Sequence, residues 1–231
     1  MLRADVLAGF LSLHKNANYL EIGVDTGVTF HALQCVRKIA VDPHFKFKAP
    51  ASTEAVAYHE VPSDEYFGGL VRDGERFQVI YIDGLHTMEQ TLRDLLNAIE
   101  YLAEDGVIVI DDVVPSSYSA SLPSLDDVEF VRTVMPSETD MSYMGDVYRV
   151  VFFVQTFMQS WSYATIAENH GQLVMWRQKR LTVPDQTVEA VSRLDLVTMF
   201  RKYEGFNRKP LAEIVADYIA GKSLSAGAEV S

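Results

Sequence analysis

The sequence has a single cysteine, Cys35, so no internal disulfide forms and an ordinary core must hold the fold. Cys35 lies in the helical-looking stretch HALQCVRK and reads as a small apolar side chain rather than a reactive thiol. Basic residues are scarce: 20 Lys and Arg stand against 32 Asp and Glu, a formal net charge of −12. Such a chain lacks the basic surface that phosphate-backbone binding needs, so nucleic acid is not an expected partner. No apolar run approaches the roughly 20 residues of a membrane-spanning helix. The N-terminal stretch has neither the long apolar core nor the small-residue cleavage site of a secretory signal. With the low cysteine use, this places the expected location in the cytoplasm. Repeats and low-complexity tracts are missing, apart from a small, polar tail after Tyr218. What remains is a chain of 231 residues, 48% hydrophobic, long enough to bury one sizeable core.

Alternation organises the first half. An amphipathic helix is expected over about Arg3 to Lys15, then a strand Asn18 to Gly23, a helix Gly27 to Arg37 and a strand Lys38 to Asp42 stopped by Pro43. Further strands are read at Val56 to Glu60, Phe77 to Asp83 and Gly106 to Asp111. A short helix, Ser63 to Leu70, opens on a Ser-Asp-Glu capping signature. The longest helix is read over Thr87 to Ala103, with Leu92, Leu95, Leu96, Ile99 and Leu102 on one side. Strands alternating with helices predict βαβ units and a mostly parallel sheet covered on both faces. Right-handed crossovers then gather every strand's C-terminus along one edge, where ligands of open α/β sheets bind. In the second half, Val114 to Ser124 reads as a Ser/Pro loop able to act as a lid, and Leu125 to Met135 as a helix. Asp146 to Met158 fits a helix, with strand left open. Asn169-His170-Gly171 gives a hairpin signal, and Val188 to Tyr203 and Pro210 to Ala220 read as helices.

Four motifs fall at strand ends. Glu21-Ile22-Gly23-Val24-Asp25-Thr26-Gly27 offers glycines for close backbone approach, but Asp25 interrupts the dinucleotide glycine pattern. Asp42 ends the second strand, where a carboxylate can accept from both hydroxyls of a ribose. Asp83 and His86 follow the fourth strand, and Asp111-Asp112 the fifth. Three carboxylates of this kind suit Mg²⁺ or Mn²⁺, and a neutral imidazole suits a general base near pH 7. Arg149 and Asp146 read equally as substrate contacts or a salt bridge. Tyr143, Tyr148, Phe152, Phe153 and Phe157, at helical spacing, read as core rather than pocket lining.

On these residues, the run from Tyr19 to Pro115 resembles a class I S-adenosylmethionine-dependent methyltransferase. EIGVDTG and VDPH look like its first two motifs. FQVIYIDGLHTMEQTLRDLLNAIEYLAEDGVIVIDDV and MGDVYRVV (Met144 to Val151) resemble the small O-methyltransferase branch called methyltransferase family 24. The resemblance implies a seven-stranded sheet of order 3-2-1-4-5-7-6, in one domain over residues 1–222. A helical extension would run from about 185 to 222, and a flexible tail over 223–231. It implies S-adenosylmethionine as methyl donor, S-adenosylhomocysteine as product, and a hydroxyl of a small molecule or sugar as acceptor. Glu21, Gly23, Gly27, Asp42, Ser63 and Asp83 would face the cofactor, with Asp64 near the adenine edge. Metal-dependent catechol-type relatives place an Asp and an Asp-Asn pair where this chain has Asp83 and Asp111-Asp112. They place a lysine base where it has His86. His86 and Asp83 are thus the catalytic candidates, and Asp83, Asp111 and Asp112 the metal candidates, with the metal left open. A homodimer is also left open, as are a nicotinamide-dependent oxidoreductase and a non-catalytic cofactor-binding or interaction protein.

Overall fold

A computed structural model describes residues 1–135, 137 and 139–228. Its strands are β1 Asn18–Ile22, β2 Arg37–Val41, β3 Val56–His59, β4 Phe77–Ile82, β5 Leu102–Ile110, β6 Trp161–Ile166, β7 Leu173–Arg177 and β8 Arg208–Lys209. Its helices are α1 Arg3–Leu11, α2 Val28–Ala32, α3 Ser63–Glu65, α4 Met88–Tyr101, α5 Leu125–Val134, α6 Tyr148–Phe157, α7 Val188–Ser192, α8 Leu196–Arg201 and α9 Leu211–Ala228. One sheet of order β3-β2-β1-β4-β5-β7-β6-β8 runs through the molecule. The first five strands pair in parallel, β7 is antiparallel to both β5 and β6, and β8 is parallel to β6. The Rossmann-like order is therefore the expected one, lengthened by β8, whose two residues are too few to show a period.

Strand alternation sorts the core into two layers. Leu20, Ile22, Ile80, Ile82, Ile108 and Ile110 pack with Leu95 and Ala98 of α4 and Val150, Val151, Phe152 and Val154 of α6. Tyr19, Val79, Tyr81, Val107 and Val109 face the other way, onto Val6, Leu7, Phe10 and Leu11 of α1, Phe30 of α2, and Ile214 and Tyr218 of α9. Strands buried on both faces carry the near-continuous apolar runs seen in the sequence.

Several boundaries differ from the sequence reading. The helix expected to Arg37 stops at Ala32, because Lys38 reaches back from β2 and donates to the carbonyls of Phe30 and Leu33 at 2.8 and 2.9 Å. Ser63 does not cap its helix: it sits inside the first turn, and its hydroxyl accepts from Gln90 Nε2 at 3.2 Å. On α4, Leu96 is 50% exposed and Asp94 is buried in the apolar stripe instead. The helix read over Val188 to Tyr203 breaks between α7 and α8. There the Leu194 carbonyl accepts from Tyr148 Oη and Arg149 Nε, and Asp195 caps α8 by accepting from the Thr198 N–H at 2.7 Å. Asp146 to Met158 resolves as helix, and Asn169 to Gly171 as the turn between β6 and β7. The expected tail from 223 overlaps α9 as far as Ala228, and 229–231 lie outside the described residues. Among the described residues no helix is long and apolar enough to cross a membrane.

Phe10 fixes α1 to the body: it is fully buried and meets the Tyr218 ring edge-on, centroids 5.8 Å apart. Phe10→Ala is expected to cost about 3–5 kcal/mol, read as a lowered urea midpoint. A loss below about 1 kcal/mol would show that the sheet folds without α1 docked.

Candidate active site

The parallel ladder extends one residue beyond the central strands. The Asp83 N–H donates to the Ile22 carbonyl at 2.8 Å and the Asp111 N–H to the Ile82 carbonyl at 3.0 Å. By alternation, Glu21, Tyr81, Asp83 and Asp111 all project to the face covered by α1. Tyr81 Oη donates to Asp111 Oδ2 at 2.6 Å and lies 3.2 Å from Asp83 Oδ2. Arg3, the first residue of α1, enters from above: its Nε donates to Asp111 Oδ2 and its Nη2 to Asp112 Oδ1. His86 Nδ1 is 3.2 Å from Asp112 Oδ2. From the β6–β7 turn, His170 Nε2 stands 3.7 Å from both Asp111 and Asp112. Two triads of possible ligand atoms, Asp83–His86–Asp112 and Asp111–Asp112–His170, each gather within 4.8 Å.

Burial and like charge sort these groups. Burial, then the charges of Asp111 and Asp112, push the Asp83 carboxyl well above the usual range, which disfavours its charged form. Burial and Asp111 push Asp112 up to about 7. Asp111 stays below the usual range, because the approach of His170, the Arg3 charge and the Tyr81 hydroxyl outweigh its burial. Burial works against the Arg3 charge, but Asp111, then Asp83, Tyr81 and Asp112 hold it more firmly protonated than usual. His86 is lowered by burial and is therefore neutral near pH 7. Asp83 Oδ1 and Asp111 Oδ1 are buried without a hydrogen-bond partner.

The glycine turn lies beside this cluster. Asp42 Oδ2 accepts from the Val24 and Asp25 N–H groups at 2.7 and 2.8 Å, and its Oδ1 from the His44 N–H at 2.7 Å. Asp25 adopts the left-handed conformation, φ +49°, that the second glycine of a dinucleotide loop would otherwise supply. Gly23 is left-handed too, and a Cβ there would meet the Asp83 carbonyl oxygen at 2.1 Å. Glu21 is buried beneath the turn, accepts from Tyr19 Oη, and is pushed up to about 8 by burial.

Residues 20–113 match the family described as a methyltransferase domain. That stretch, from β1 to just past β5, is what the chain shares with methyltransferase domains. Its strand order is Rossmann-like, as in the solved structures it superposes on. A protein from Staphylococcus aureus named as a caffeoyl-CoA O-methyltransferase superposes with TM-score 0.51 at 13% identity, over 77% of this chain and 83% of that one. The O-methyltransferase TomG of Streptomyces achromogenes, solved with S-adenosylmethionine, gives TM-score 0.49 at 14% identity, over 76% and 79%. No curated protein matches the sequence.

In this sheet, Glu21, Gly23, Gly27, Asp42 and Asp83 are grouped at the C-terminal ends of β1, β2 and β4. Ser63 stands off to one side with Asp64, Gln90 and Asp94: Gln90 Nε2 lies 3.2 Å from Ser63 Oγ and Asp64 Oδ1 and 3.1 Å from Asp94 Oδ1. Asp94, pushed up to about 6 by burial, was hidden from the sequence reading by its place in an apolar stripe. Arg149 and Asp146 form a salt bridge at 2.5 Å, and Asp146 Oδ1 accepts the Met88 N–H at 2.6 Å, fixing the start of α4. The aromatic set splits: Tyr148 and Phe152 are core, while Tyr143 meets the His86 ring edge-on, centroids 5.6 Å apart. The Ser/Pro loop is anchored at its middle, where the buried Ala120 carbonyl accepts from the Met144 and Gly145 N–H groups at 2.9 Å. Arg3 and His170 were missed, since a first-turn arginine and a hairpin histidine carry no motif. Tyr81 was legible in principle, two residues before Asp83 on the same strand. A separate cleft of about 600 Å³, bordered by Tyr163, Trp176, Arg180 and Asp217, contains none of the strand-end carboxylates.

Two predictions test this electrostatic and steric account. A raised carboxyl pKa favours folding below its unfolded value of 4.5 and loses that contribution as pH rises towards about 8. Glu21→Gln should therefore gain thermal stability relative to the parent between pH 5 and pH 9. A difference in Tm that stays constant across that range would remove Glu21 as a buried neutral acid. Gly145 is left-handed, and a Cβ there would fall 1.6 Å from the His86 carbonyl oxygen. Gly145→Ala should cost on the order of 2–3 kcal/mol and shift the His86 ring resonances; an unshifted His86 with parental stability would contradict that packing.

Proposed function

We propose that this protein is a methyltransferase that moves a methyl group from S-adenosylmethionine to a hydroxyl oxygen of a small molecule or sugar, with His86 as general base. The observation that carries the reading is the His86–Asp112 pair, set between two strand ends beside the buried, unpartnered Asp83 Oδ1. An orphaned buried oxygen next to a left-handed glycine turn fits a ligand with hydrogen-bond donors. Gly23, Gly27 and Asp83 would hold the methionine part. Asp42, which spends three acceptor positions on backbone N–H groups, keeps one for a ribose hydroxyl. Ser63 with Asp64 would border the adenine. When bound, the cofactor supplies a sulfonium-activated methyl group.

The chain's own contribution is alignment and a proton acceptor. With Nδ1 donating to Asp112, His86 keeps its Nε2 lone pair for the acceptor hydroxyl. Burial keeps the imidazole neutral, so the base is in its working form near pH 7. Tyr143 holds one side of the ring and the Gly145 backbone crowds the His86 main chain, which limits its movement. A divalent ion does not fit the residues as they stand. Asp111 Oδ2 already accepts from Arg3 and Tyr81, Asp112 Oδ1 accepts from Arg3, and burial with two neighbouring carboxylates disfavours the charged form of Asp83.

Calorimetry should show S-adenosylmethionine and S-adenosylhomocysteine binding with Kd on the order of micromolar. Folded protein that binds neither would overturn the cofactor reading. His86→Ala should retain that affinity while turnover with an identified acceptor drops by about 10²–10⁴. Parental turnover in this variant would remove His86 as base.

A further inference from the structure

We infer that Arg3 is the built-in cation of the strand-end carboxylates, engaging the Asp111 and Asp112 oxygens that a divalent ion would need, so that this chain positions its site without metal. The inference deepens the proposed methyl transfer and rests on that reading for its catalytic meaning. The placement of the cation rests on geometry alone. Val6, Leu7, Phe10 and Leu11 bury the inner stripe of α1, and this fixes the first residue of the helix over the ends of β4 and β5. From there one guanidinium bridges two adjacent carboxylates, with Nε on Asp111 and Nη2 on Asp112. A planar fork with fixed N–H directions suits such a bridge better than a lysine ammonium does.

Three consequences follow for the site. The bridged oxygens face each other across Arg3, so an ion seeking several oxygen ligands must first displace a guanidinium tethered by a buried helix face. The opposite oxygen of Asp112 stays free of Arg3 and meets His86 at 3.2 Å, so the cation orients the carboxylate that in turn orients the base. Arg3 is therefore a positioning residue, acting on His86 through Asp112. His170 closes the remaining side at 3.7 Å from both carboxylates, placed there by Gly171, whose carbonyl accepts the Val113 N–H at 3.1 Å.

The test is a titration with Mn²⁺, followed by the loss of the free-ion electron paramagnetic signal, on full-length parent, Arg3→Ala and Arg3→Lys. The parent and Arg3→Lys should leave the signal unchanged. Arg3→Ala should take up one ion per chain, on the order of tenfold more tightly or better, and adding Asp112→Asn to it should abolish that uptake. A merely structural arginine would not give a metal site on removal, nor would lysine restore the exclusion. The proposal is overturned if the parent itself binds one Mn²⁺ that Asp112→Asn removes, or if folded Arg3→Ala binds no better than the parent. Should Arg3→Ala fail to fold, Arg3→Met, which keeps the apolar stem, replaces it, and the parent titration remains decisive by itself. The readout involves no methyl transfer, so loss of S-adenosylmethionine binding would sink the proposed function and leave this result standing.

Discussion

Burying negative charge along one edge of a sheet is the constraint that shapes this molecule. Parallel strands with right-handed crossovers bring their C-terminal ends together, and here those ends carry Glu21, Asp42, Asp83, Asp111 and Asp112, none of them freely exposed. Isolated buried carboxylates are unaffordable unless neutralised, hydrogen-bonded or paired. The chain uses all three solutions. Burial raises Glu21 and Asp83 above the usual carboxyl range and so favours their neutral forms. Asp42 is hydrogen-bonded by three backbone N–H groups, and in accepting them it shapes the glycine turn. Asp111 is held by Arg3 and Tyr81. The docking of α1 and the reach of the β6–β7 turn are thus parts of the site's electrostatics as much as of its packing.

The same edge concentrates unusual backbone. Asp25, His86 and Asp112 are left-handed non-glycine residues, and each lies within one to three residues of a strand-end motif. A left-handed L-residue costs roughly 1–2 kcal/mol, so three at one edge persist only where tertiary contacts over-determine them. Those contacts can be named. Asp42 and Lys46 hold Asp25, the Gly145 backbone and Tyr143 confine His86, and Arg3 with His170 flanks Asp112. The rigidity that the proposed general base needs comes from this surrounding frame and not from the loops themselves.

The period-2 and period-3.6 patterns made the parallel core legible, because β1, β2, β4 and β5 are buried on both faces and read as apolar runs ending in acids. The strand-end acids were legible for the same reason: each run stops where the residue type changes. What stayed hidden was set by tertiary contacts. Lys38 ended a helix early from a neighbouring strand, Asp94 occupied an apolar stripe, and the Leu194 carbonyl broke a helix to serve Tyr148 and Arg149. Arg3 was invisible as a site residue because its role depends on where α1 docks. The periodicity of α1 shows which face is buried, but not which strand ends its first turn will cover.

Arg3 and His86 make physical sense as a pair. A divalent ion can lower the pKa of a hydroxyl it binds, which eases the demand on the base that removes the proton. A guanidinium carries one charge spread over a plane and is already engaged by two carboxylates, so it offers little of that acidification. The burden then falls on the base, which must be unprotonated at neutral pH and well oriented. A lysine, with an ordinary pKa near 10.4, would be protonated, and a second cation close to Arg3 would add like-charge repulsion. An imidazole lowered by burial, with one nitrogen tied to Asp112, meets both requirements. Asp112 in turn can serve His86 only because its other oxygen is pinned by Arg3. On this reading, histidine at the base position and arginine at the cation position are two halves of one arrangement, joined through a single carboxylate.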